Sequence, residues 1–312
     1  MTDVGPLTAT LARLERTLDP SEPEASGVEV IGYGEISVAL QTDALPGIVV
    51  KRMAGFLDEA MARRHAALVE EYVAALRGCG LAVVDTSVVV LPRDGLAPTL
   101  AVVQPLLAPD RLGHRLLHTV DEAGLAVMLG RVLSAVQRVL AHHPASGASL
   151  AVDAQLSNWW FETLDEVPAG EPVLIDVGTP FVRRGGRLAL DRELILAAAP
   201  RVVRPYFRWD RTVEKYQEDY FDLRTTAVDL LGNFHKEGAA GRLPTALAAV
   251  NGWLARYEPA IAPLTPAEVD RYYRSDAALL ELYLRLRRAD RFVQQRLLRR
   301  RYDFVLPGRV TR

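Results

Sequence analysis

The sequence predicts an α+β fold with two lobes, because strand-like and helical patterns occupy different parts of the chain. From Val28 onward, short apolar runs alternate with Gly and Pro turns, and one amphipathic segment at 56–77 interrupts them. The resulting order is β-β-β-α-β-β. Beyond residue 121 the apolar spacing is mostly helical, so a β-rich lobe precedes a larger helical lobe, and the two meet near Gln104–Leu107.

The individual elements follow from local patterns and their stop signals. Strands are predicted at 28–40 (broken by Gly32 and Gly34), 47–53, 82–91 and 99–107, with a short apolar strand directly before Asp176. Helices are predicted at 56–77, 121–143, 211–236, 244–258 and 265–303. Residues 1–26 are polar and rich in Pro and Glu, with a short helix expected at Leu7–Leu18, and we predict an appendage there. The predicted domains are 1–26, a β-rich lobe with one helix at 27–107 and a helical lobe at 108–312.

Composition narrows the class of protein. The 312 residues are 49% hydrophobic and 24% charged, as in ordinary globular proteins, and a chain of this size needs no disulfide or metal to hold its core. A net charge of −2 gives no reason to expect a nucleic-acid or membrane partner. The single cysteine, Cys79, excludes a disulfide framework and a cysteine-rich zinc site. No apolar run reaches about 18 residues, and the first 24 residues carry early acids and no apolar core, so we expect a cytoplasmic protein.

Lysine is scarce, which draws attention to where it occurs. Only three of the 37 basic residues are lysine, namely Lys51, Lys215 and Lys236. GC-rich coding explains the abundance of arginine, but lysine differs physically, as a compact charge rather than a planar fork. Lys51 ends the strand-like run Val49-Val50-Lys51, where a solvated side chain is the ordinary alternative to contact with phosphate oxygens. A buried Lys51 needs a carboxylate partner, and Glu70 and Glu71 of the next helix are both candidates.

A glycine-containing turn precedes Lys51. In the segment Ile31-Gly-Tyr-Gly-Glu-Ile-Ser37, paired glycines between two strands allow close approach of the backbone to phosphates. A plain hairpin turn is the alternative. A strand rather than a helix follows, so the segment is not a dinucleotide-binding fingerprint.

Two further motifs lie in the second half of the chain. Asp153 and Asn158 are five residues apart in a loop, where an aspartate can orient or deprotonate a hydroxyl and an asparagine can offer its amide oxygen to a metal ion. An Asx turn with a helix cap is the structural alternative. Asp176 follows an apolar strand and is followed by Val177 and Gly178, which is an expected position for a metal carboxylate as well as a common strand exit.

In this order, the four motifs resemble those of the protein-kinase-like superfamily, in its small-molecule branch of aminoglycoside and choline phosphotransferases. The resemblance spans about residues 28–185, and the chain also resembles an uncharacterised actinobacterial family within that superfamily. It implies a bilobal fold, ATP or another nucleoside triphosphate with Mg²⁺, and a small-molecule acceptor. The implied roles are Gly32 and Gly34 over the nucleotide phosphates, Lys51 with Glu70 or Glu71 at the α- and β-phosphates, Gln104 and Leu106 in a hinge that receives adenine, Asp153 as catalytic base, and Asn158 and Asp176 as magnesium ligands.

The sequence departs from that family pattern at three places. Ser37 replaces the third glycine of the loop, and Ala151-Val152 replaces the usual His-Gly or His-Arg before Asp153. Gln155 stands where a Lys or His normally stabilises the transferring phosphoryl group. These departures favour a second hypothesis, a pseudoenzyme that binds nucleotide or a partner without turnover. A third hypothesis is an α+β interaction protein that binds no nucleotide.

Other features have structural explanations that we prefer. Trp159-Trp160 is expected in the core rather than stacked on a ligand, and Arg296–Arg301 is expected to be a solvated helix end rather than a polyanion site. His142 and His143 are expected to end a helix rather than bind metal. An aromatic and acidic cluster at 206–222 suits a cationic acceptor, although we prefer the simpler explanation that the acids lie on a helix surface. No Ala-Pro-Glu follows Asp176, which argues against a peptide substrate.

Overall fold

The structure is a computed structural model, and it describes residues 4–34, 36–142, 147–164, 167–201, 203–205 and 218–308. Its strands are β1 (Glu29–Tyr33), β2 (Ser37–Gln41), β3 (Ile48–Met53), β4 (Ser87–Arg93), β5 (Leu96–Pro105), β6 (Ala148–Leu150), β7 (Trp159–Leu164), β8 (Val167–Leu174), β9 (Val182–Arg184) and β10 (Arg187–Leu188). Its α-helices are α1 (Val4–Thr17), α2 (Glu59–Gly78), α3 (Gly113–Leu116), α4 (Glu122–Ala141), α5 (Arg192–Ala198), α6 (Leu223–Lys236), α7 (Leu243–Tyr257) and α8 (Pro266–Phe292).

The first lobe is built on a five-stranded antiparallel sheet in the order β1-β2-β3-β5-β4. Strand β3 lies at its centre, with Lys51 opposite Ala39 of β2 and Val102 of β5. Helix α2 begins where the Asp58 carboxylate accepts a hydrogen bond from the Met61 amide, and its apolar face packs on the sheet. The predicted order of three strands, one helix and two strands is confirmed.

The opposite face of this sheet is covered by the two ends of the chain. Leu11 of α1 is buried in one cluster with Val50 and Val103, and Val305 near the C-terminus is buried with Leu18 in another. The expected helix near the N-terminus is confirmed, but the segment belongs to the first lobe and is not an appendage. The apolar spacing of α1 explains this, because its leucines bury one face that a detached helix would leave in water.

A buried charge network ties these ends to the sheet. The Glu15 carboxylate accepts two hydrogen bonds of 2.7 Å from the Arg52 guanidinium, and each side chain is only 4% exposed. Arg93 of β4 contacts both Glu15 and Asp303, and Arg52 also donates to the Asp303 carbonyl at 2.7 Å. Burial alone would raise the pKa of Asp303, but hydrogen bonds and charge from Arg93 and Arg301 outweigh it and lower that pKa. The network therefore joins α1, β3, β4 and the C-terminal segment.

The second lobe packs mainly α4, α6, α7 and α8 around an apolar core. Within the described part of the chain, α4 is the one helix that is long and apolar enough to cross a membrane, and half of that stretch is buried inside the fold against its neighbours. His142 follows α4 as its cap, as predicted, whereas His143 lies outside the described residues. Trp159 is fully buried, which confirms its predicted place in the core, whereas Trp160 is only partly buried and donates to the Ala108 carbonyl at 3.2 Å.

The α+β, bilobal fold class is thus confirmed by the sheet order, the single helix between β3 and β4 and the larger helical lobe. The last predicted helix ends earlier than expected. Helix α8 stops at Phe292, a π-helical turn covers Val293–Leu297, and the chain then returns to the first lobe, where Tyr302 and Leu306 are buried. The predicted helical lobe at 108–312 therefore includes a C-terminal segment that packs on the first lobe.

Candidate active site

Lys51 lies where the two lobes meet. Its Nζ donates a 2.7 Å hydrogen bond to the Ile175 carbonyl and lies 3.2 Å from Oδ1 of Asp176. Its side chain is 14% exposed, so the ammonium is largely shielded from water. Side chains alternate along a strand, which is why the next residue, Arg52, points to the opposite face and joins the buried network there. The structure therefore brings two of the predicted site residues, Lys51 and Asp176, into contact.

Asn158 lies next to this pair. It ends the 3₁₀ turn Leu156–Asn158 just before β7, and its carbonyl accepts a 2.9 Å hydrogen bond from the amide of Ile175, the residue before Asp176. This bond holds the two predicted metal-binding residues on adjacent segments.

Asp153 occupies a desolvated position in the same loop. Its Oδ1 accepts a 2.8 Å hydrogen bond from the Gln155 amide, which is the Asx turn that the sequence also allowed. Burial, followed by the nearby charge of Asp229, raises the pKa of Asp153 to about 8. A carboxyl with this pKa is poised to exchange a proton near neutral pH, as general acid–base groups are.

Gln155 links the Asp153 loop to α6. The side-chain nitrogen of Gln155, Nε2, is 3.4 Å from Oδ2 of the buried Asp229. The Tyr272 hydroxyl donates to the other oxygen of that carboxylate at 2.9 Å. Burial also raises the pKa of Asp229. Lys236, one of the three lysines, forms a 3.0 Å ion pair with Asp276 close by. Gln155, which departs from the family pattern, is thus held in place by a network of polar side chains.

Helix α2 supports both site loops with neutral side chains. The Tyr72 hydroxyl donates a 2.6 Å hydrogen bond to the Ala151 carbonyl, while the Ala151 amide donates to Phe181 at 3.0 Å. Nε2 of His65 lies 3.0 Å from the Gly178 carbonyl, and burial lowers the His65 pKa to about 4, so the ring is neutral and donates that hydrogen bond. Tyr72 thus supports the loop before Asp153, and His65 supports the turn after Asp176.

The predicted partnership of Lys51 with Glu70 or Glu71 is wrong in this structure. Both glutamates lie on the exposed face of α2, and Glu71 forms an ion pair with Arg184 of β9. The inward face of the helix carries His65, Tyr72 and apolar residues instead. The carboxylate beside Lys51 is that of Asp176.

The glycine turn and the hinge agree with the sequence only in part. Gly32 pairs with Ala39 inside the sheet, and a Cβ on Gly34 would lie 2.6 Å from the Ser37 hydroxyl, so a side chain at Gly34 would require Ser37 to change its rotamer. The neighbouring Glu35 lies outside the described residues.

The Leu106 amide, expected to receive adenine, donates to the Gly47 carbonyl at 2.8 Å, because the pairing of β3 with β5 continues one step further.

The side chain of Gln104 also forms its hydrogen bond within the first lobe. It is buried, and its amide group donates to the Thr86 hydroxyl at 3.2 Å. Its expected backbone contact with adenine stays a prediction.

Four supporting residues were missed by the sequence analysis. They are His65, Tyr72, Gly113 and Asp229. A Cβ on Gly113 would lie 2.5 Å from the Leu156 carbonyl, so glycine at this position lets α3 pack directly on the turn that carries Asn158. The helical period of α2 does place His65 and Tyr72 on the apolar face, which was a usable signal, while nothing local marks Gly113 or Asp229.

The donor set fits Mg²⁺ better than a transition metal. One carboxylate and one amide oxygen, from Asp176 and Asn158, match the preference of Mg²⁺ for few protein ligands completed by phosphate oxygens. Among the residues that the structure describes, no group of three His, Cys, Asp or Glu side chains forms a protein-only metal site.

A small pocket opens beside Asp229. Its walls are formed by Asp219, Tyr220, Thr225, Thr226, Asp229 and Tyr272. Much of the aromatic and acidic cluster expected to build an acceptor site, at 206–217, lies outside the described residues.

Comparisons with known proteins place the chain as follows. A family model described as a family of unknown function (DUF6206) matches residues 13–291. Among curated proteins, none matches the sequence.

Three solved structures are similar. They are WaaP in complex with acyl carrier protein (14% identity, 79% of this chain and 92% of that chain covered, TM-score 0.33), the GDP and kanamycin complex of APH(2")-IIia (11%, 74% and 93%, 0.34) and the gentamicin–APH(2")-IIa complex (11%, 78% and 92%, 0.31). Because the TM-scores and the sequence identities are this low, these similarities support no conclusion about activity.

Proposed function

For this chain, which belongs to a family of unknown function (DUF6206), we propose a phosphotransferase that moves the γ-phosphoryl group of a nucleoside triphosphate to a hydroxyl of a small molecule. The observation that carries the proposal is the convergence of distant motif residues on one cleft. Lys51 contacts Ile175 and Asp176, and Ile175 is bonded to Asn158, five residues after Asp153. These are the residue types that phosphoryl transfer requires.

The polar groups divide the work between phosphate and acceptor. The Lys51 ammonium is a shielded cation that suits phosphate oxygens, and incoming phosphates would compete with Asp176 for it. Asp176 and Asn158 would hold Mg²⁺, which neutralises phosphate charge when bound. Gly34 would leave room for the phosphates beneath the β1–β2 turn.

Asp153 would serve the acceptor. As the new bond forms between the acceptor oxygen and the γ-phosphorus, the bond from that phosphorus to the β-phosphate bridging oxygen breaks and a nucleoside diphosphate leaves. The hydroxyl proton passes to the Asp153 carboxylate. A positive charge brought near Asp153 lowers its raised pKa, so a loaded site favours the ionised form that accepts the proton.

A nucleotide-binding pseudoenzyme is the second candidate, and two observations favour it. The Leu106 amide is engaged by Gly47, and Gln155 offers no positive charge to a transferring phosphoryl group. Such a protein would bind nucleotide through Lys51 without turnover.

The discriminating experiment compares the wild-type protein with Asp153→Asn. We expect wild type, given ATP, Mg²⁺ and a panel of small alcohols, to release ADP faster with one acceptor than with water. Asp153→Asn should bind ATP equally well and lose at least a hundredfold in turnover. Binding of ATP by both proteins with no phosphorylated product from either would favour the pseudoenzyme, and no ATP binding would contradict both.

A further inference from the structure

The positive charge of this chain is concentrated at one place. Residues 285–301 contain eight arginines and one acid, Asp290, so this segment carries +7 (8 − 1). The whole chain carries −2, which leaves −9 (−2 − 7) on the rest. The attraction of a protein to a charged surface depends on the local field more than on net charge. The small net charge therefore does not argue against a polyanionic partner for this segment.

Large apolar side chains are exposed at the same place. Phe292 is 59% exposed, Leu297 68% and Leu298 48%. Together with Val293 they make up four of the twelve large apolar side chains that are exposed in the described part of the chain. Isolated exposed leucines are ordinary, but a cluster of apolar and basic side chains marks an interaction surface. We call residues 291–300 the arginine–leucine tip.

The tip is a chain reversal that is anchored from within. Helix α8 ends at Phe292, the π-helical turn follows, and Arg299 adopts a left-handed φ of +52° before the chain returns to the first lobe. Arg301 donates to the Leu18 carbonyl at 2.9 Å, and Arg288 donates to the Gly308 carbonyl at 2.6 Å. The inner side of the reversal is therefore fixed, while its outer side chains face solvent.

The outward arginines carry uncompensated charge. Arg296, Arg299 and Arg300 are exposed, and none of them forms an ion pair with a residue that the structure describes. By contrast, Arg285 pairs with Glu281 along the helix and Arg301 pairs with Asp303. A partner that meets the tip must supply negative charge and accept apolar side chains at once.

We propose that the arginine–leucine tip docks on an anionic lipid bilayer. Phe292, Leu297 and Leu298 would enter the boundary between headgroups and acyl chains, while Arg296 and Arg300 bind lipid phosphates. The spacing favours a bilayer over an acidic partner helix. Val293 and Leu297 are four residues apart, but the helical turn ends at Leu297, and Phe292 and Leu298 do not continue that spacing. The exposed apolar side chains therefore do not form the long stripe at three- and four-residue spacing that a partner helix needs.

The test is sedimentation of the full chain with vesicles of phosphatidylcholine alone or mixed equally with phosphatidylglycerol. We expect binding to the mixed vesicles only, weakened by added salt. Two variants separate the contributions: Phe292→Ser with Leu297→Ser and Leu298→Ser, and Arg296→Gln with Arg300→Gln. Each should bind the mixed vesicles at least tenfold more weakly, given about a fivefold effect for each arginine near an anionic surface. Arg299 is left intact because its φ is left-handed, so a substitution there would also change the backbone strain.

The matched control is Leu57→Ser with Arg63→Gln, which removes an exposed leucine and an exposed arginine elsewhere and should bind vesicles as wild type does. Thermal unfolding of each variant checks the fold. The proposal is overturned if wild type does not sediment, if it binds both vesicle types equally, or if the tip variants bind as well as the control. It is also overturned if the tip variants abolish a self-association or the capture of an acidic helical peptide while vesicle binding stays unchanged.

Discussion

The Tyr72 hydroxyl donates a 2.6 Å hydrogen bond to the carbonyl of Ala151, two residues before Asp153. Tyr72 is fully buried, and burial followed by the charges of Asp176 and Asp153 raises its pKa well above the usual value, so the phenol stays protonated and donates. Helix α2 thus contributes a neutral donor to the loop that carries Asp153.

Tyr72→Phe should therefore impair turnover more than nucleotide binding. It leaves the buried Ala151 carbonyl without this donor, which costs about 1–3 kcal/mol of unfolding free energy. A loop displaced by a fraction of an ångström should reduce kcat by about tenfold to a hundredfold, with little change in the KM for nucleotide. Steady-state kinetics and urea unfolding measure both effects. Tyr257→Phe, at an exposed site of α7, is the control, and equal losses in the two variants would contradict the assignment.

The raised pKa of Asp153 predicts how stability depends on pH. Between the usual aspartate pKa of about 4 and the folded value of about 8, the native protein holds a proton that the unfolded chain has released, so stability falls as pH rises through this window. Asp229→Asn removes one repelling charge and so lowers the Asp153 pKa, and it also removes the similarly raised pKa of Asp229 itself, so both effects should flatten this fall. Urea unfolding at several pH values from 5 to about 8 measures it, with the exposed Asp85→Asn as control. A slope that is the same in wild type and Asp229→Asn would exclude the coupling.

The buried network behind Lys51 should matter for stability. Glu15→Gln leaves Arg52 and Arg93 buried with less negative charge, and breaking a buried pair from one side costs about 3–5 kcal/mol. The surface pair of Arg63 and Glu59 on α2 offers a matched comparison, in which Glu59→Gln should cost about 0.5 kcal/mol or less. Urea unfolding at neutral pH measures both losses. If Glu15→Gln were as mild as Glu59→Gln, α1 would not be an integral part of the lobe.

Gly113 should be intolerant of a side chain. In Gly113→Ala the new Cβ would lie 2.5 Å from the Leu156 carbonyl and 3.0 Å from the Phe161 ring, so the turn carrying Asn158 must shift. We expect weaker Mg²⁺-dependent nucleotide binding together with lower stability. Gly252→Ala in α7 has open space around it and should instead stabilise by about 1 kcal/mol. Calorimetric titration with nucleotide and Mg²⁺ distinguishes them, and wild-type affinity in Gly113→Ala would contradict the packing argument.

Local patterns explain why much of the first lobe was predictable. Apolar periods and glycine turns act over a few residues. They therefore predict the order of strands along the chain, the single helix between them and the position of Lys51 at a strand end. The same periodicity could have excluded Glu70 and Glu71, since the buried Val69 and Tyr72 place both glutamates on the outer face of α2.

Long-range contacts explain what the sequence did not predict. Glu15 and Asp303 are far apart along the chain, and no local pattern indicates that both contact Arg93. Similarly, the role of Asp229 depends on Gln155, 74 residues away, and on the desolvation that both share. Burial of polar partners is set by tertiary packing, so it becomes visible only in the folded chain.

The most direct test of the central claim is thermal unfolding of wild type and Lys51→Met with ATP, with and without Mg²⁺. A ligand at a hundred times its Kd adds about 2.7 kcal/mol of stability, which raises Tm measurably for a chain of this size. We expect wild type to show a rise in Tm that requires both ATP and Mg²⁺, and Lys51→Met to show little or none. A rise that is equal in the two proteins, or absent from wild type, would contradict a phosphate site built on Lys51 and Asp176.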